Sequence, residues 1–377
     1  MSEAFLTAIG QQPDLLFITS RKAMDAFNQA DPRFEQDVRD RVGDRLKCIP
    51  AAASDAFEAT EDVPEWLEDD HIKGVVILGD YTTVPPRRMQ CMEPDLLYQL
   101  IDSDCRLGND WDDWWVWNDD LYASRSPNGI ADLPVSRLPI IPKQVSSPFK
   151  SDTLVSATCI WGTEFPVVDR IFFGYLPAEG HQLESPPFAA KARDYRAYKQ
   201  ITDEHLAADK VYLMVHGEAR VTILNWGSQA GSWKPVAVDG SLFVDDWSLD
   251  GVVFAGACWG VQLADLTAYE AEPDVHFESL AIEASLPLEF INRGANAFVG
   301  FTALHHVPIG RTELVLGAPL HDMFWKNIAS GEMAPAEALF QAKAGYVSAM
   351  QADGMHKLAL AQELKALWAA SCIGLGW

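Results

Sequence analysis

A histidine and a cysteine, each delivered by the end of a short apolar run, are the residues of this chain best suited to chemistry. Val211-Tyr212-Leu213-Met214-Val215 runs into His216-Gly217, and Val252-Val253-Phe254-Ala255-Gly256-Ala257 runs into Cys258-Trp259-Gly260. A thiol beside an imidazole supplies a nucleophile and a proton acceptor, the pair needed to cleave an acyl bond through a covalent thioester. The reaction also needs a proton donor for the leaving amine and N–H groups aimed at the developing oxyanion. Cys258 is therefore the candidate nucleophile and His216 the candidate acid/base, with the backbone N–H groups of Gly217 and Cys258 as oxyanion donors. Glycine suits position 217, because a side chain there would obstruct the scissile carbonyl. Gly256 and Gly260 leave room around the nucleophile in the same way. Taken singly, each residue reads as a core cysteine or a hydrogen-bonded histidine. The pair, with its glycines, points to chemistry.

The elements that must position this pair are buried strands. Apolar runs that stop abruptly at small residues mark parallel strands covered on both faces, and reactive groups in open α/β sheets collect at the carboxyl ends. Further strands are predicted at Asp14–Thr19, Gly74–Asp80, Thr153–Trp161 and Ala297–Phe301. Helical periodicity covers Arg21–Arg45, Asp169–Tyr175, Phe277–Arg293, 318–329, 334–350 and His356–Ala370. Strands alternating with helices predict an α/β fold, a parallel-dominated sheet with helices on both faces. Residues 140–150, with Pro142, Pro148 and paired serines, read as a crossing linker. They divide the chain into an N-terminal α/β subdomain, 1–145, and a catalytic subdomain, 146–377. No internal repeat or low-complexity tract interrupts the pattern.

Composition narrows the function classes. Apolar residues at 48% and aromatics at 11% suffice for a large packed core in 377 residues. A net charge of -25 opposes binding to nucleic acid or anionic lipid, which needs clustered Lys and Arg. The six cysteines show no CxxC pair and no regular framework. The N-terminus lacks a signal-peptide pattern, and no apolar run is long enough to cross a bilayer. A cytoplasmic setting is expected, which suits a free thiol.

With these residues in place, the sequence resembles the caspase-type cysteine peptidases of clan CD, and within them the gingipain family. Gly79-Asp80 before the Pro85-Pro86 loop is similar to the family's Gly-Asp turn. Asp132-Leu133-Pro134-Val135-Ser136-Arg137-Leu138-Pro139 resembles its Asp-x-x-Val-Gly-Arg-x-Pro signature, with Ser136 in place of Gly. Ala295-Asn296-Ala297-Phe298-Val299-Gly300 looks like its Gly-Ala-rich strand, and Gly331–Lys343 its Gly-Glu-Ala-Leu-x-x-Ala-Lys helix. The resemblance runs from about residue 14 to 350. It implies a caspase/gingipain-like fold of two α/β subdomains and endopeptidase activity on protein or peptide chains through the His-Cys dyad, with no cofactor. It also implies a carboxylate that orients His216, placed at Glu164, and an acidic residue that reads a basic P1 side chain, placed at Asp169. Each of these two acids reads equally as a solvated loop acid. The family's closing Gly-Asp-Pro turn is absent and no export signal is visible, which suggests an intracellular relative served by an activating or regulatory protein. A catalytically silent scaffold that binds protein partners is the alternative.

Other residues carry weaker signals. His305-His306 either wall the substrate pocket or face solvent, and solvent is the expectation for adjacent histidines on a loop. His181, His205 and His276 lack ligand spacing, so no metal site is expected. The acidic-aromatic stretch 109–120 lacks the order of a calcium loop and reads as a solvated loop anchored by tryptophans. No glycine-rich phosphate loop follows a strand. Cys159 reads as a buried thiol within its strand.

Overall fold

Ten strands form the main sheet: β1 (Leu15–Thr19), β2 (Leu46–Cys48), β3 (Gly74–Leu78), β4 (Val135–Leu138), β5 (Ala157–Trp161), β6 (His181–Glu184), β7 (Lys210–Met214), β8 (Val252–Ala255), β9 (Ala297–Phe301) and β10 (Ala370–Gly374). In the computed structural model their order across the sheet is β2-β1-β3-β4-β10-β9-β8-β7-β5-β6. The structure describes residues 3–50, 53, 55–92, 94–102, 110–126, 130–141, 149, 156–162, 164–175, 181–184, 201–219, 223–225, 236–243, 247–272, 275–352 and 357–377. The linker expected at 140–150 and the boundary drawn at 145 fall mostly outside these residues.

Strands β1, β3, β5, β7, β8 and β9 are buried at every position. In β1, Leu15 and Phe17 pack with Phe5, Phe27 and Phe34, while Leu16 and Ile18 pack with Ala59, Val63 and Leu67. Cover on both faces is why these strands read as continuous apolar runs rather than alternating ones. Each Val, Leu, Ile or Phe so buried contributes about 1.5–3 kcal/mol, which makes the sheet a firm floor for whatever its rim carries. Pairing is parallel from β2 through β1 and β3 to β4, and from β9 through β8, β7 and β5 to β6.

β10 joins these two sets. It pairs antiparallel with β9 over five register pairs and bridges β4 at Ile373 and Arg137. Ser136 Oγ donates to Leu375 O at 2.7 Å, and the Trp377 ring lies over Gly74, where an added Cβ would fall 2.1 Å from it. The residues nearest the end of the sequence therefore fill the middle of the sheet.

Three expectations need correction. The predicted helix 21–45 is two helices, Arg21–Ala30 and Phe34–Val42, because Pro32 holds Asp31 in an extended conformation. The predicted helix Phe277–Arg293 shrinks to Leu286–Asn292, preceded by a 3-10 turn at Ile282–Ala284. Pro287 lies in its first turn, and Ala264 and Ser279 form an isolated bridge upstream. The predicted helix 356–370 ends at Ala369 and passes directly into β10, a strand the periodicity did not reveal.

One rim of the sheet is built up by loops. Gly79 (φ 144°) turns the chain after β3, Asp80 Oδ1 accepts from the N–H groups of Thr82 and Thr83, and buried Arg137 donates to the carbonyls of Gly79 and Val84 while pairing with Asp119. The Gly-Asp turn and the Arg of the resemblance thus hold each other in place. Trp117 bridges this corner to the end of β9: its ring is 5.8 Å from Tyr81, and its carbonyl accepts from Thr302 Oγ1.

Candidate active site

Three adjacent strands, β8, β7 and β5, carry Cys258, His216 and Glu164 past their carboxyl ends. The ladder continues toward the site, since Gly256 N–H donates to Leu213 O and Gly162 N–H to Met214 O. His216 then enters a small antiparallel sheet, in which His216 pairs with Asn225 and Gly217 with Leu224, backed by Val236–Asp239. That sheet fixes the imidazole at the rim.

Glu164 and His216 are brought together. His216 Nε2 lies 2.8 Å from Glu164 Oε1, with side-chain exposures of 26% and 12%. A carboxylate at Nε2 fixes the proton there and leaves Nδ1 for exchange. Phe165 packs on the imidazole at 5.1 Å, and Gly310 N–H donates to Glu164 O at 2.8 Å. Residues 164 and 165 are thereby held against the histidine and the loop at Gly310.

Gly217 and Cys258 are also brought together, backbone to backbone. A Cβ on Gly217 would stand 1.8 Å from Cys258 O and 3.4 Å from Ala257 Cβ. Only glycine permits this approach. Trp259 adopts φ 46°, an unusual conformation for a bulky residue. Its N–H donates to Ala303 O and that of Val261 to Phe301 O, which pins the turn after the cysteine to the end of β9.

The thiol itself lies in the half-buried Cys258. His305 N–H donates to Sγ at 3.4 Å, and the thiol donates to His305 O at 3.5 Å. Burial raises the thiol above its ordinary pKa, and the His305 N–H only partly offsets this. Burial thus favours the protonated thiol over the thiolate.

The other candidates have surroundings of their own. Asp169 is exposed in the first turn of helix Val167–Tyr175, where its charge bears on Glu184 and on buried Cys159. Gly256 makes room for Met214 and His321, and Gly260 for the Ala255–Ala257 backbone.

Two readings of the loops are overturned. His305 does not face solvent: it is 6% exposed, stacks on Phe301 with ring centroids 3.4 Å apart, and bonds His321. Nor is most of the acidic stretch solvated, although Asp113 and Trp111 are exposed and Trp114 is a buried anchor as expected. Asp110 and Asp112 are buried around Lys365, Asp119 around Arg137, and Asp120 around Lys343. These four carboxylates are taken up by buried cations, which leaves them committed to the fold. Lys365 sits between Leu364 and Ala366 in helix Lys357–Ala369; a lysine in the middle of so apolar a stretch was the available signal. Asp112 Oδ2 also accepts from Leu304 N–H, and Asp110 from His306 Nε2.

No family model matches this sequence, and no curated protein matches it. A solved structure does match in fold: that of the Arg-specific cysteine proteinase gingipain R. The match is 10% identical in sequence, covers 97% of this chain and 77% of that chain, and has a TM-score of 0.57. The architecture is thus a mostly parallel α/β fold of the gingipain type. No described helix is long and apolar enough to cross a membrane.

Proposed function

We propose that the protein is a cysteine endopeptidase acting on protein or peptide chains, with Cys258 as nucleophile and His216 as acid/base. The observation that carries this reading is the convergence of three neighbouring strand ends: Glu164 bonds His216, and Gly217 packs directly on Cys258. In the reaction, the thiol proton passes to His216 as sulfur attacks the scissile carbonyl. The N–H groups of Gly217 and Cys258 receive the oxyanion. His216, now an imidazolium held by Glu164, protonates the departing amine. Water, deprotonated by the same histidine, then releases the acyl group from sulfur and restores the thiol. A basic P1 preference through Asp169 is the finer part of the reading, and an activating protein is a further part of it.

A P1-diverse peptide library tests both levels. The wild type is expected to cleave, Cys258→Ala to lose turnover while keeping its fold, and Asp169→Asn to lose any preference for Arg or Lys. Undiminished turnover in Cys258→Ala would remove the assignment. If no peptide is cleaved, and no thiol-directed peptide labels Cys258 even with candidate activators present, the fold serves as a binding scaffold instead.

A further inference from the structure

Behind the thiol lies a row of buried polar side chains that the reaction does not consume. Tyr212 OH is 2.8 Å from His321 Nδ1, and His321 Nε2 is 2.8 Å from His305 Nε2. All three residues are essentially buried. Tyr212 belongs to β7, four positions before His216. His321 stands in helix Ala318–Ala329, and His305 is the residue whose backbone holds Cys258 Sγ on both sides. We propose that Tyr212, His321 and His305 are positioning residues, a buried row that ties the loop gripping the thiol to the strand that delivers His216. This rests on the peptidase reading for its catalytic consequence, though not for its effect on the thiol.

The chemistry of the row supports a positioning role. Burial pushes His321 down to about 3 and His305 well below the ordinary imidazole range, the latter with help from His321, His306 and Lys365. Burial raises Tyr212 far above the ordinary phenol, with Cys159 and Asp322 adding to it. All three are thus neutral across the working range, and the row transmits geometry rather than charge. It is also incompletely satisfied. If His321 donates to His305 and accepts from Tyr212, then His305 carries its proton on Nδ1, which has no partner. Reversing the row removes that donor but leaves Nδ1 as a bare buried acceptor and takes from the tyrosine O–H the His321 acceptor it had. Keeping an imperfect polar row in an otherwise apolar layer of Phe254, Phe301 and Trp325 costs stability. A purely structural layer would be better served by apolar side chains of the same shape.

The test uses Tyr212→Phe, which removes one oxygen and keeps the ring contacts, and His321→Gln, which keeps polarity and changes its placement. The readout is the rate and pH profile of Cys258 alkylation by iodoacetamide, followed by peptide mass because Cys48 is also exposed. Losing the row lets His305 drift from Sγ. Alkylation at neutral pH is then expected to slow by about threefold to tenfold, the effect of one weakened hydrogen bond, with the pH profile moved to higher pH. On a cleavable peptide, kcat should fall with KM unchanged. Wild-type alkylation rates and pH profiles in both folded variants would overturn the proposal. If the wild type cleaves no peptide, the peptidase reading fails, yet the alkylation profiles still decide whether the row positions the thiol.

Discussion

Gly217 and Cys258 are packed so closely that the smallest side chain at 217 would meet a backbone oxygen. A backbone atom cannot swing aside, so Gly217→Ala must push the His216 hairpin away from the cysteine turn. A misplacement of this kind costs on the order of a hundredfold in kcat. The expected outcome is lost peptide cleavage with Cys258 still open to iodoacetamide; a variant with wild-type kcat would show that this contact does not define the site. At this scale the placement of His216 and Cys258 at neighbouring strand ends was legible, because both residues follow apolar runs and are flanked by glycine. His305 was not legible. Its role depends on His321, sixteen residues away on a helix, and on a backbone contact that no side-chain pattern reports. The acids at 110 and 112 looked solvated for the same reason: Lys365, which neutralises them, lies more than 250 positions downstream.

Among the elements, the loop after β9 is the one on which the site depends most. Residues 302–306 are held by Trp117 O at Thr302, by Asp112 at Leu304, by His321 at His305 and by Asp110 at His306. The acidic pair is asymmetric. His306 and Lys365 hold Asp110 well below the usual carboxylate range against the cost of burial, while burial and the neighbouring Asp110 push Asp112 up to about 7. Lys365 is 1% exposed and is the cation between them. Lys365→Met would leave two buried acids without the lysine that bonds both, a loss of about 3–5 kcal/mol. Denaturant unfolding should show that loss, and the same variant should cleave more slowly because Leu304 and His306 lose their anchors. A loss under about 1 kcal/mol would mean that the cluster is better hydrated than its burial indicates. The helices that failed to match the sequence pattern did so for local reasons, Pro32 and Pro287. β10 was hidden for another: it follows helix Lys357–Ala369 without a turn residue, so its residues read as the helix's last turn.

Over the whole molecule, the alternation of strands and helices was readable, but strand order was not, since nothing local tells Ala370–Gly374 to lie between strands that end at 138 and 301. The likeness to gingipain R at 10% identity makes the same point, because the same architecture is built there from mostly different residues. The helix that feeds β10 also gives the molecule a pH-dependent stability. Glu363, 2% exposed, accepts from the Leu316 backbone but leaves Oε2 unpartnered, and burial pushes it up to about 8. Its unfolded pKa is near the ordinary 4.5. Between these values the folded chain keeps a proton that the unfolded chain has lost, so stability falls as pH rises through this window, by roughly 1.4 kcal/mol per pH unit. Asp112, also raised, adds to that slope, whereas the buried His305 and His321 oppose it below about 6.5, where the unfolded chain takes up protons that they refuse. Glu363→Gln keeps the shape and removes the titration. Its stability should equal that of the wild type below about pH 4.5, and exceed it by a margin that grows to a plateau above about pH 8. Thermal unfolding of the two proteins from pH 4 to 9 measures that difference directly. A margin that stayed constant with pH would mean that Glu363 is ionised in the folded chain and that this end of the helix is open to water.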